Sequence, residues 1–251
     1  MGGADELVGW LSEPRAALLS REDCWRYYQI YRPSTRFIKT LNLNSCVLDF
    51  GAGMGGTVGL KNWPEPVRED LKFFAFSLEY AENFEKYEGY EIGNFEVYTP
   101  QFHNIEFSAI FASHVIEHLV DPNRFLTWAV QRSADQARFY LEWPSENSMT
   151  LPPKTEFVAR GFDIMITNFF DDGSHIAIPS RESIVTSLEC LGLTIEEQGV
   201  IRSPFLEGEL LASAESWPTE FEKELVRRNA FWSYTGWAQY VIASKDSRRG
   251  G

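Results

Sequence analysis

The stretch 47-VLDFGAGMGG-56 decides how this chain is read. A short apolar run, residues 47–50, ends in four glycines among six residues, and an acid, Asp49, stands two positions before the first of them. Glycine costs roughly 0.5–1 kcal/mol against alanine inside regular structure. A cluster this dense marks a backbone with a task beyond turning. A buried strand that runs straight into such a loop is the usual entry to a βα unit of an open sheet, whose ligands bind at the carboxyl ends of the strands.

Working outward, further apolar runs predict six more strands: KFFAFSLEY (72–80), a weaker NFEVY (94–98), FSAIFASHV (107–115), ARFYLEWP (137–144), TIEEQGVI (194–201) and GWAQYVIASK (236–245). Helical patterns lie between several of them, in AENFEKY, DPNRFLTWAVQRSA and PSRESIVTSLECLG; the last starts at Pro179 or Ser180 and stops at Gly192. Residues 5–42 read as helical, with a break near Pro33. Alternating strands and helices predict an α/β fold: a seven-stranded, mostly parallel, Rossmann-like sheet covered on both faces. Residues 145–178 hold Pro152, Pro153, Gly161 and Gly173 without clean periodicity, and read as an insertion, a lid or substrate cap after strand five. Residues 1–44 read as an N-terminal helical cap. No linker is evident, so one domain spanning 1–251 is expected.

Composition narrows the partners. The 251 residues carry a formal net charge of −13, which repels phosphate backbones and argues against nucleic acid. No run of about eighteen apolar residues predicts a membrane span, and the N-terminus lacks the basic-then-apolar order of a signal peptide. Arg248 and Arg249 sit in a polar tail that reads as frayed. Cys24, Cys46 and Cys190 are odd in number and far apart, which fits reduced thiols in a cytoplasmic protein. Oligomeric state is open.

The glycines satisfy two patterns. Gly51-x-Gly53-x-x-Gly56 meets the dinucleotide fingerprint. Asp49, Gly51, Gly53 and Gly55 also make D-x-G-x-G-x-G, which resembles motif I of class I S-adenosylmethionine (SAM)-dependent methyltransferases. FSAIFASHVIEHLVDPNRFL resembles the strand-four segment of that family, with its "LEHLxDP" helix entry; ARFYLEWPSE resembles strand five, and HIAIPSRESIVTSLECLGLTIEEQG a later block. The resemblance covers about residues 45–202 and outweighs the dinucleotide reading. One departure is the pair Pro64 and Pro66, which should cut the first helix short and leave a loop.

The resemblance implies SAM as cofactor and S-adenosylhomocysteine as product. It places Asp49, Gly51, Ala52, Gly53 and Gly55 under the amino-acid part, Glu79 and Tyr80 at the nucleoside, and Ser113 and His114 beside the methyl. In either family a side chain at these glycines would collide with the ligand. Tyr31, with Tyr27, Tyr28 and Trp143, could offer an aromatic face to the sulfonium, or simply pack in a core. The acceptor is expected to be a small molecule, most simply a hydroxyl in sugar, polyketide, quinone or other secondary-metabolite chemistry. His114 is then a general base or only a lining residue, with Glu142 and His175 as further catalytic candidates. His114-x-x-Glu117-His118 with His175 resembles zinc-peptidase and RNA-methyltransferase metal sets, but EH before LxDP also suits a loop-orienting role, so no metal is assigned. Two rival readings are a non-catalytic methyltransferase-like partner subunit and an NAD-dependent oxidoreductase; the latter would want a Tyr-x-x-x-Lys proton donor, which the chain lacks.

Overall fold

The computed structural model describes residues 3–245; Arg248 and Arg249 lie outside the described residues. Its strands are β1 (Cys46–Phe50), β2 (Lys72–Ser77), β3 (Gly89–Ile92), β4 (Phe107–Ser113), β5 (Ser133–Pro144), β6 (Leu193–Val200) and β7 (Ala238–Lys245). Its helices are α1 (Ala4–Ser12), α2 (Arg21–Tyr31), α3 (Pro33–Lys39), α4 (Pro122–Gln131), α5 (Asn147–Thr150), α6 (Lys154–Val158), α7 (Arg181–Cys190), α8 (Glu207–Ser213) and α9 (Glu220–Thr235). The strands form one sheet in the order β3-β2-β1-β4-β5-β7-β6. The pairings of β1 with β2 and β4, β2 with β3, and β4 with β5 are parallel. This is the seven-stranded, Rossmann-like α/β sheet expected from the alternation of patterns.

The chain divides into two compact units. The sheet unit comprises Ser34–Trp143, Ile176–Gly199 and the described residues from Tyr240 onward. Its central strands are buried on both faces, which is why they read as continuous apolar runs. Phe50 at the end of β1 packs on Phe76, Phe125 and Trp128 at centroid distances of 5.0, 4.3 and 5.6 Å. Helix α4 begins where Asp121 accepts the N–H groups of Asn123 and Arg124, with Pro122 in the first turn. Helix α7 begins at Ser180, whose hydroxyl accepts Ser183 N–H, and stops before Gly192 at φ +84.

The helical unit comprises residues 3–33, Pro144–His175 and Val200–Gln239. Its core gathers Cys24, Tyr28, Leu210, Ala214, Val226 and Ala230 from α2, α8 and α9 and the turn after α8. Within the 144–175 segment, the Asp171 carboxylate accepts the N–H groups of Lys154, Thr167 and Asn168, so three backbone donors of a stretch with little regular structure are satisfied by one side chain.

Several expectations need correction. The third strand is Gly89–Ile92; residues 94–98 instead form a turn, closed by Asn94, whose side chain accepts Glu96 N–H. The pattern in AENFEKY yields only a 3-10 turn, Glu82–Lys86. Residues 13–20 interrupt the first helical stretch. Helices α8 and α9 had no counterpart in the sequence reading. The shortened element after the glycines is found: a 3-10 turn, Thr57–Lys61, leads into a loop. Arg68 organises that loop, pairing with Asp70 at 2.8 Å and donating to Lys39 O and Asn42 O.

Candidate active site

The glycine loop leaves β1 at Phe50. Gly51 and Ala52 both donate N–H to Phe76 O on β2, at 2.9 and 3.0 Å, which locks the start of the loop to the neighbouring strand. Gly51, Gly53 and Gly55 have φ of +77, +53 and +71, whereas Gly56 sits at −71. The left-handed positions therefore follow D-x-G-x-G-x-G and leave the last glycine of the dinucleotide spacing unneeded.

What those glycines avoid differs from expectation. A Cβ on Gly51 would lie 2.6 Å from Val115 Cγ2, and one on Gly55 would lie 3.0 Å from Asn83 Cβ and Phe84. The collisions are with the protein itself. Of the three left-handed glycines, Gly53 alone would take a Cβ without collision, its nearest contact being Gly51 O at 3.9 Å. Ala52 is buried, and Met54 beside Gly53 is exposed.

Asp49 lies beneath this loop, 2% exposed. Its Oδ2 accepts the Tyr87 hydroxyl at 2.6 Å, and the Thr57 hydroxyl bonds it too. Burial pushes its carboxyl up to about 6, against the pull of those two hydrogen bonds. The same burial, and the nearby carboxylate, push the Tyr87 phenol far above its ordinary range. Tyr87 and Thr57 escaped the sequence reading, because nothing local links them to Asp49. Past the end of β2, Glu79 and Tyr80 are exposed, and Tyr80 donates to Glu85 at 3.0 Å.

The second half of the site stands at the carboxyl ends of β4 and β5. Ser113 ends β4 in register with Glu142 of β5. His114 follows at φ +54, a strained conformation for a side-chain-bearing residue, of the kind that collects at functional sites. Its N–H donates to Glu142 O at 2.8 Å. The imidazole stands between two carboxylates, Nδ1 at 3.3 Å from Glu117 Oε1 and Nε2 at 3.1 Å from Glu142 Oε1. Both glutamates are buried. Burial opposes a charge on His114, but hydrogen bonding and attraction from Glu117 and Glu142 outweigh it and push the imidazole up to about 9. Near neutral pH it is a cation, not the neutral base its ordinary range suggests. His118 is half-buried at the end of the same turn, Ile116–His118.

Among the aromatic candidates, Trp143 is fully buried and donates its indole N–H to Pro179 O at 2.8 Å. Tyr28 is buried in the helical unit with its hydroxyl on Asn229 Oδ1. Both are packing residues. Tyr27 and Tyr31 keep exposed rings, Tyr31 at 65%. His175 belongs to the helical unit, where its ring stacks on Phe169 at 4.4 Å and Nδ1 bonds Phe169 O.

A buried acid at the loop, a second acid past β2 and a left-handed glycine free of side-chain neighbours fit a ligand with cationic and nucleoside parts. A family model described as a methyltransferase domain matches residues 24–198. No curated protein is similar in sequence. Among solved structures, a SAM-dependent methyltransferase from Archaeoglobus fulgidus is 19% identical, with 90% of this chain and 95% of that one covered and a TM-score of 0.50. A methyltransferase in complex with the Haloferax volcanii Trm112 activator is 13% identical, covering 96% and 98%, with a TM-score of 0.50. The mycolic acid cyclopropane synthase CmaA1, complexed with S-adenosylhomocysteine, is 13% identical, covering 96% and 94%, with a TM-score of 0.53. The chain belongs to the methyltransferase-domain family. It is an enzyme of the class I SAM-dependent kind, with SAM as its cofactor. No helix among the described residues is long and apolar enough to cross a membrane.

Proposed function

We propose that the protein transfers a methyl group from SAM to a hydroxyl of a small-molecule acceptor. The observation that carries this reading is the pair of buried carboxylates holding the His114 imidazole at the carboxyl ends of β4 and β5. SAM supplies a methyl on positively charged sulfur, primed for in-line displacement. Asp49 and the loop of Gly51, Ala52, Gly53 and Gly55 hold its amino-acid end. Glu79 accepts hydrogen bonds from the ribose, with Tyr80 beside it, and Ser113 lines the approach to His114.

A hydroxyl must give up its proton as its oxygen takes the methyl. The cluster of Glu117, His114 and Glu142 is where that proton goes. An imidazole held at about 9 is closer in proton affinity to a phenol, about 10, than an ordinary imidazole is. Three free thiols, Cys24, Cys46 and Cys190, fit a reducing compartment such as the cytoplasm.

Calorimetric titration with S-adenosylhomocysteine, with NAD as control, tests the cofactor site. An acceptor panel with isotopically labelled SAM, read by mass spectrometry, tests the rest. The expected product carries the methyl on oxygen, and the rate rises with pH towards about 9. A methyl on nitrogen or carbon alone, or a flat pH profile, overturns the hydroxyl reading.

A further inference from the structure

Two residues before Glu142 on β5 stands Tyr140. Its ring is fully buried, stacked on Phe111 at 4.9 Å and 16°, and tilted against Phe37 at 5.6 Å. Phenylalanine would meet those packing needs. The hydroxyl therefore needs its own explanation, since a buried O–H costs free energy unless it is bonded. It donates to Glu142 Oε2. The other oxygen, Oε1, faces His114 Nε2 at 3.1 Å, and His114 Nδ1 faces Glu117 Oε1 at 3.3 Å. In this chain only the imidazole reaches solvent, its side chain 27% exposed against 1% for Glu142 and 0% for Glu117.

The terminal torsion of a glutamate is broad and only loosely held by its own rotamer preference. A carboxylate bonded at one oxygen can swing; one bonded at both cannot. We propose that Tyr140 is a positioning residue of the methyl-transfer site: its hydroxyl fixes the direction of the Glu142 carboxylate, and Glu142 thereby holds the His114 imidazole at the end of β4. The proposal rests on the reading of His114 as the site's proton acceptor. The charged and titratable groups around the chain come from several elements. Glu117 faces His114 from the turn after β4, and Glu142 and Tyr140 from β5. From β7, Tyr240 stacks on Tyr140 at 6.3 Å and donates its hydroxyl to Glu197 of β6, which pairs with Arg36 of α3 at 2.8 Å.

Tyr140→Phe in the full chain tests this, because it keeps the ring and removes the donor. The binding of S-adenosylhomocysteine should stay within about threefold, and kcat should fall ten- to a hundredfold. In the nitrogen-15 spectrum the titration midpoint of His114 should move, since Glu142 loses the hydrogen bond at Oε2. A His114 titration that superimposes on the wild type overturns the proposal. A midpoint that moves in an enzyme yielding no O-methylated product leaves Tyr140 as the residue that positions His114, and the hydroxyl-acceptor reading falls instead. If Tyr140→Phe does not fold, Glu142→Gln supplies the measurement. The protected hydroxyl-proton resonance of Tyr140 must shift in that variant, and an unshifted resonance overturns the proposal.

Discussion

Val115 occupies the space that a side chain on Gly51 would need, its Cγ2 lying 2.6 Å from the position of a Cβ there. The first glycine of the loop is thus required by the turn that follows β4. Gly51→Ala meets both that contact and a φ of +77. A loss of about 2–4 kcal/mol is expected from strain and overpacking together. Val115→Ala should recover part of it, since it relieves the contact and not the dihedral. Gly56→Ala is the internal control: with φ −71 and nothing within 4 Å, it should be neutral or stabilising by up to about 1 kcal/mol. Urea midpoints of the three variants check this.

Glu79 is exposed, so its replacement should cost little stability. Glu79→Ala should nevertheless weaken S-adenosylhomocysteine binding by about ten- to a hundredfold, the worth of charge-assisted hydrogen bonds to a ribose. Calorimetry at constant melting temperature checks both halves. Unchanged affinity would remove Glu79 from the cofactor site.

Asp49 carries a cost in the free enzyme that the cofactor should repay. Its carboxyl, pushed up to about 6 from an ordinary value near 3.9, binds its proton more tightly folded than unfolded. Its contribution to stability is therefore present below about pH 4 and is lost as pH rises through about 6. Asp49→Asn keeps an acceptor for Tyr87 and removes the buried charge. Above about pH 6 the variant should equal or exceed wild-type stability, by up to about 2 kcal/mol, while S-adenosylhomocysteine affinity falls at least about tenfold. Paired denaturation and binding measurements near neutral pH decide it.

His114 runs in the same sense over a higher window. Its folded-state value is raised to about 9 from an unfolded value near 6.5. The stability it contributes is complete below about pH 6.5 and is lost as pH rises through about 9. Denaturant midpoints should fall across that interval, by on the order of 2–3 kcal/mol at most. His114→Gln should flatten the fall. An equal slope in both proteins would mean that the imidazole is not held by Glu117 and Glu142.

Where the sequence reading succeeded, a local signal matched a local cause. Residues 46–50, 107–113 and 238–245 are apolar because both faces of their strands are covered. The third strand failed for the opposite reason. NFEVY has the aromatic alternation of a strand, yet Phe95 enters the core from a turn, edge-on to Phe50 at 5.2 Å. Gly89–Ile92 has little strand character of its own and is made a strand by pairing with β2. Helix α9 was legible and passed over. Thr219 and Glu222 form a capping box at its start, and Gly236 at φ +63 ends it. In the site, Asp49, the glycines, His114 and Glu142 could be found because they sit at strand ends. Tyr87, 38 residues from Asp49, could not, and Tyr140 was hidden within a strand that looks like core.

The sheet order places β7 between β5 and β6. The seventh strand is thus the one that seats the sixth, which precedes it in the chain. While residues 238–245 are still within the ribosome, β6 has no neighbour to pair with, and the helical unit also waits for residues 200–239. Neither unit can close before its residues from this part of the chain have emerged. A chain stopped short of Ala238 would therefore lose two strands in place of one.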